Sequence, residues 1–172
     1  MLDKEEQNET LLENTGIVLE NRSKIENEMD KIPAVQVDYL QTWDKYVRDF
    51  LVGCNHVCGA GIYNHRGEEL AATESFFVTD AQFCRIMQGY TVTDTLFDEE
   101  IIINDKTYRV KLADGSRGIF AKTYEIGKGV YSCSIYRTGE VVIIAVSKPN
   151  MCYRECNMAV ARLGDFLISR GL

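Results

Sequence analysis

The chain has 172 residues and is 45% hydrophobic, which suits one domain of ordinary size with a proper core, plus a tail. Its net charge of -7 disfavours a general nucleic-acid binder, because neutralising phosphates needs a basic face. The longest apolar run, Val141 to Val146, is far too short to cross a bilayer.

The acidity is uneven. Residues 1–36 hold nine acids against four bases, a balance of -5, which leaves only about -2 for residues 37–172. This first segment is rich in Glu and Asn, lacks aromatic residues, and has its single proline, Pro33, near its end. Leu11, Val18, Ile25 and Ile32 recur every seven residues, with Met29 at a second seam position; Thr15 and Arg22 occupy the equivalent places in the preceding heptads. We expect an acidic extension over 1–36, disordered or partly helical, followed by a domain over 37–172. No basic patch precedes an apolar stretch at the start, so no secretory leader is expected, and a cytoplasmic location follows.

The domain opens with a predicted helix from Tyr39 to Leu51. Leu40, Trp43, Val47, Phe50 and Leu51 form its apolar face, and Gly53 stops it. Strands then dominate. Cys58 to Tyr63 leads into the turn Asn64-His65-Arg66-Gly67, and Glu68 to Ala72 returns. Thr79 and Gln82 have capping-box spacing and start a short helix through Met87. Ile101–Ile103, a turn at Asn104-Asp105, and Tyr108–Leu112 follow, with a tight turn at Asp114-Gly115. Next come Gly118–Tyr124, the turn Gly127-Lys128-Gly129, Val130–Tyr136, the turn Thr138-Gly139, and Val141–Val146. A last helix spans Tyr153 to Ser169. Cys156, Ala159, Leu163, Phe166 and Leu167 are on its buried side, and Gly171 lies just past its end. The layout is α+β: a central antiparallel meander whose N- and C-terminal helices share one face of the sheet.

No catalytic set emerges, and the chain is not expected to be an enzyme or to need a cofactor. His56 and His65 sit in loops outside any triad spacing, and Gly127-Lys128-Gly129 is too short for a phosphate loop. Cys54-x-His56-x-Cys58 and Cys152-x-x-x-Cys156 could supply four thiolates to zinc if the terminal helices brought them together. The spacing is not a C-x-x-C knuckle and apolar residues surround both pairs, so buried structural thiols are the better reading, with no metal. A Cys54–Cys156 disulfide under oxidation is the remaining alternative.

The two ends of the domain resemble profilins. Thr42-Trp43-Asp44-Lys45-Tyr46-Val47, with Asp49 and Leu51, is similar to the W-x-x-Y-V helix that opens the family. Cys156-Asn157-Met158-Ala159-Val160-Ala161-Arg162-Leu163-Gly164-Asp165-Phe166-Leu167, with Gly171-Leu172, resembles the closing helix of plant-like members. Ala60-Gly61-Ile62-Tyr63 and the Arg66-Gly67 turn sit where the family has its first hairpin. The resemblance covers residues 39–172. It implies a sheet with both terminal helices on one face and short helices on the other. It also implies three ligands: monomeric actin, the proline-rich segments of partners such as actin nucleators, and phosphoinositides.

The resemblance places a polyproline groove between the terminal helices, where flat rings pack the ridges of a three-residue-per-turn helix and ring N–H or O–H groups bond its carbonyls. Trp43 and Tyr46, three apart on one helix, match that site. Leu70 stands for the groove's second tryptophan, Phe166 for the closing-helix Tyr or His, and Leu172 for the terminal Tyr of vertebrate members. The apolar floor is kept and hydrogen-bond donors are lost, so proline-peptide binding is expected to be weakened or altered. The residues matching the actin face are Lys122, Arg137, Lys148, Tyr153, Asn157 and Arg162; four are basic, which suits acidic actin. Against the phosphoinositide ligand, few basic residues cluster and the acidic extension would oppose an anionic membrane. Two alternatives remain: a divergent profilin-fold protein that has lost actin or polyproline binding, and a longin- or roadblock-type scaffold for a GTPase complex.

Overall fold

The computed structural model describes residues 39–92, 96–97 and 100–172, and the unit they form runs Asp38–Leu172. The expected acidic extension over 1–36, with its heptad seam, lies outside the described residues.

Seven strands form one antiparallel sheet. They are β1 (Val57–Asn64), β2 (Glu69–Ala72), β3 (Glu100–Ile103), β4 (Lys106–Ala113), β5 (Gly118–Glu125), β6 (Gly129–Arg137) and β7 (Val141–Ser147), in the spatial order β2-β1-β7-β6-β5-β4-β3. The chain therefore meanders from β3 to β7, then returns to place β7 beside β1. Strand β7 explains why its sequence is an unbroken apolar run: all seven of its residues are buried, so neither face meets water. Val142, Ile144 and Val146 enter one core with Ile101, Ile103, Tyr108, Val110 and Ile135. The helix α2 (Asp80–Gly89) closes that core with Phe83 and Ile86. The other face of β6 and β7 packs against the last helix, α3 (Tyr153–Ser169).

Local chemistry sets the turns. Asn104 and Asp105 both adopt positive φ, 50° and 58°, the pattern of a two-residue hairpin turn whose twist matches the flanking strands. Asp114 Oδ1 accepts from the backbone N–H groups of Ser116, Arg117 and Gly118, which ties the β4–β5 turn. Thr79 caps α2 through Gln82 N–H. The reciprocal half of the expected capping box is missing, because Gln82 Oε1 accepts from Ile102 N–H on the edge strand instead. That bond satisfies an edge group which would otherwise be open to pairing.

The opening helix departs from expectation. It is α-helical only over Tyr39–Lys45 (α1), then widens into a π-turn over Tyr46–Leu51 and tightens into a 3-10 turn over Val52–Cys54. Val52 N–H accordingly reaches Val47 O, five residues back. Trp43, Tyr46 and Val47 are buried at ordinary helical spacing; beyond the wide turn Leu51 takes the inner position while Phe50 is half-buried. The side chain of Leu40 is not among those described. The closing helix has the expected bounds, and its buried residues include Val160 and Gly164 besides Cys156, Leu163 and Leu167.

Candidate ligand-binding faces

The terminal helices meet through aromatic rings. Tyr46 is 5.8 Å from Trp43 and 6.0 Å from Phe166, both edge-on, and 5.7 Å from Phe50. Edge-to-face pairs at this spacing are favourable beyond the area they bury. Arg170, the C-cap residue just past α3, lies 5.1 Å from the centre of the Phe166 ring. Burial pushes the Tyr46 phenol pKa up, opposed in part by the Arg170 charge. Trp43 and Tyr46 are 6% and 5% exposed, whereas Leu70, Phe166 and Leu172 are half-buried. Leu70 is on β2, the strand on which α1 packs. Leu172 is held by its N–H to Leu167 O and approaches Gly139. The seam thus joins Trp43, Tyr46 and Phe166 directly. The sequence reading put Phe50 on the apolar face of the opening helix but not in the groove, and it missed Arg170, which brings donors to a surface short of them.

A second face lies on β3, β4 and β5, on the side of the sheet where α3 packs. Tyr153, the first residue of α3, stacks on Phe120 at 5.2 Å, and Lys122 Nζ lies 3.8 Å from the Tyr153 ring centre. A cation over a tyrosine face is attracted by the ring quadrupole, so the two side chains order each other. Asn157, one turn further along α3, hydrogen-bonds through Oδ1 to the Ser134 hydroxyl. Beside this cluster is an open depression of about 550 Å³ lined by Glu100, Thr107, Arg109, Lys111, Lys122, Thr123 and Val130. Cross-strand pairing of Arg109 with Lys122 on one side and Glu100 on the other builds it. An ion pair of 3.0 Å joins Arg109 to Glu100.

Of the residues named for this face, Lys122 and Tyr153 are in contact, and Asn157 lies one turn further along α3. Lys148 sits just past β7, its N–H bonded to His56 O, and Arg162 is exposed on α3. Arg137 departs from the set. Strand alternation puts it with Cys133 and Ile135, on the α2 side, where its guanidinium is 5.5 Å from the Tyr90 ring. Phe120, Arg109 and Lys111 are the members the sequence reading missed; only the strand register brings them beside Lys122.

The metal alternative finds no support in the geometry. Among the described residues no group of three or more His, Cys, Asp or Glu is placed to hold an ion, and the six cysteines are free thiols. Cys133 and Cys156 are buried, and burial pushes the Cys156 thiol up to about 12, helped by nearby Cys54 and Cys58. Cys54 Sγ donates to Leu51 O at 2.8 Å, and Cys58 Sγ to Ser147 O at 3.2 Å. His65 Nε2 lies 3.2 Å from Thr138 O, a tie between two turns.

A curled antiparallel sheet carrying its first and last helices on one face and a short helix on the other defines the profilin fold. The sequence pattern of the profilin family matches residues 41–172, and the chain belongs to that family. It is 26% identical to profilin-A of Physarum polycephalum over 130 residues, covering 76% of this chain and 98% of that one. Among solved structures, Acanthamoeba castellanii profilin IA superposes with a TM-score of 0.68 at 25% identity, covering 76% of this chain and 99% of its own. Mouse profilin IIa, solved with a double repeat from the FH1 domain of mDia1, superposes at 0.62 with 18% identity over 76% and 99% of the two chains. A longin- or roadblock-type scaffold is thereby set aside. Among the described residues no helix is long and apolar enough to cross a membrane.

Proposed function

We propose that the chain binds monomeric actin through the β3–β5 face and the start of α3, and proline-rich segments through the seam between its terminal helices, acting in actin assembly without catalysis. The observation that carries the reading is the Lys122–Tyr153–Phe120 stack beside a depression with three cationic side chains, Arg109, Lys111 and Lys122. Actin is acidic, so such a face speeds encounter and sets orientation, while the apolar rim of Val130 and Tyr153 adds contact area. A phosphoinositide headgroup, the third ligand implied by the family, would meet the same cations and compete with actin there. Two ligands on separate faces would let the protein deliver actin to a proline-rich nucleator in the cytoplasm.

The test is twofold. In a pyrene-actin assembly assay the protein should sequester monomer and slow spontaneous nucleation, and Lys122→Ala should weaken that effect. Polyproline titration is followed through Trp43, the sole tryptophan. Unaltered nucleation at high protein concentration would reject the actin assignment. A flat titration with folded protein would reject the groove. One observation favours a second reading, a profilin that has lost its proline ligand: Trp43 and Tyr46 are almost fully buried, so little ring surface is offered.

A further inference from the structure

The first turn of α3 carries Tyr153, yet its N-cap residue, Cys152, makes no side-chain capping bond. A helix start without a cap leaves its first N–H groups unsatisfied by the usual device and its entry angle loosely determined. The five-residue connection from β7 to α3, residues 148–152, is instead pinned from outside by Asn150. Asn150 N–H donates to Val130 O at 2.8 Å, and Asn150 Oδ1 accepts from Val130 N–H at 3.1 Å. One residue thus pairs with both backbone groups of Val130, as a strand partner would.

Two further features show that the site is built for this contact. Asn150 adopts φ of 57°, a conformation that Asn and Gly tolerate and most residues do not. Opposite it, Gly129 is at φ of 101°, and a Cβ there would lie 2.2 Å from Asn150 Oδ1 and 2.6 Å from its Cγ. Only glycine lets the two segments approach this closely. Val130 in turn pairs with Tyr124 on β5, the strand that carries Phe120 and Lys122.

We infer that Asn150 is a positioning residue for the second face. It couples the β5–β6 hairpin to the loop entering α3, and so sets where Tyr153 stands over Phe120 and under Lys122. Its side chain need touch no ligand. The inference rests on the actin reading above only for its functional consequence; the geometric coupling stands or falls separately.

The experiment compares the full chain with Asn150→Gly, which keeps the positive φ but deletes the acceptor, and Asn150→Asp, which keeps an acceptor of the same shape. The geometric readout is the proton shift of the Lys122 ε-methylene, which the Tyr153 ring current should displace upfield in the parent, given Nζ at 3.8 Å from the ring centre. Asn150→Gly should return that signal towards its random-coil position, and Asn150→Asp should hold it. Actin affinity should fall about fivefold in Asn150→Gly, the equivalent of one lost hydrogen bond, and recover in Asn150→Asp. Polyproline affinity should be unchanged in both, which also reports that the variants are folded. An unmoved Lys122 signal in Asn150→Gly overturns the inference, whereas a moved signal with parental actin affinity upholds the positioning of Tyr153 and overturns its consequence for actin binding. A parent that ignores actin, with the Lys122 shift still lost in Asn150→Gly, rejects the actin reading and upholds the positioning of Tyr153 by Asn150.

Discussion

Gly164 offers the sharpest test of how α3 sits on the sheet. A Cβ at this position would lie 2.2 Å from Cδ1, 2.4 Å from Cε1 and 3.0 Å from Cγ of Tyr136 on β6. To restore ordinary contact at 3.4 Å the ring edge must retreat from 2.2 Å by about 1.2 Å, or the helix must lift. The ring is not free to swing, because its hydroxyl donates to Asp165 Oδ1 at 2.6 Å. Overpacking typically costs about 1–3 kcal/mol, and an approach of 2.2 Å belongs in its upper part, about 2–3 kcal/mol. Against it, alanine is favoured over glycine in a helix interior by about 1 kcal/mol. The steric term wins, and Gly164→Ala should destabilise the domain by roughly 1–2 kcal/mol, lowering Tm by about 4–7 °C for a domain of this size. Urea unfolding followed by Trp43 fluorescence measures it. In a Tyr136→Ala background the same substitution should become neutral or stabilising, since the obstruction is gone and only helix propensity remains. A Gly164→Ala protein as stable as the parent, with Tyr136 present, would refute the close seating of α3. Because α3 carries Tyr153, Asn157 and Phe166, lifting it should also weaken both proposed ligand faces together.

Other outcomes can be checked with less effort. Leu70→Trp should tighten polyproline binding between twofold and about tenfold, the range for one regained hydrogen bond, as read by peptide titration. The thiols should separate by environment: Cys84 and Cys152 should react quickly with an aromatic disulfide reagent, Cys58 more slowly because desolvation raises its pKa and its Sγ donates to Ser147 O, and Cys133 and Cys156 only on unfolding. A fast count of five or six would contradict the buried placement. Asp114 feels a desolvation that raises its pKa, outweighed by hydrogen bonds from Arg117, Ser116 and Gly118 that lower it, for a net depression. Its contribution to stability is therefore fully present above the unfolded carboxylate value near 4 and lost as pH falls through the lower folded value. Tm measured from pH 7 to pH 2 should show an acid component that Asp114→Asn removes; an identical acid profile in the variant would show that other carboxylates account for it.

Much of this architecture is local enough to be legible in the chain. The apolar run at Val141–Val146 announced a strand, and Asn104-Asp105 announced a turn between two strands; that both faces of the strand are covered and that both turn residues take positive φ came from the structure. Spacing of Cys156, Leu163 and Leu167 located α3 between Tyr153 and Ser169. Each of these signals depends on a residue and its near neighbours, through periodicity or backbone preference, so sequence alone determined them. The π-turn at Tyr46–Leu51 was not legible, because its wider hydrogen bonds are favoured only when packing against α3 and β1 rewards the shifted side chains. Nor was the membership of the basic face. Lys122 and Arg109 are neighbours through β4–β5 register, which includes an irregularity between Val110 and Leu112, and Arg137 is carried to the opposite side by strand alternation. Register and facing are properties of strand pairs and of which face the helices cover. Only the tertiary structure decides them, since a slip of one residue exchanges every side chain between core and surface.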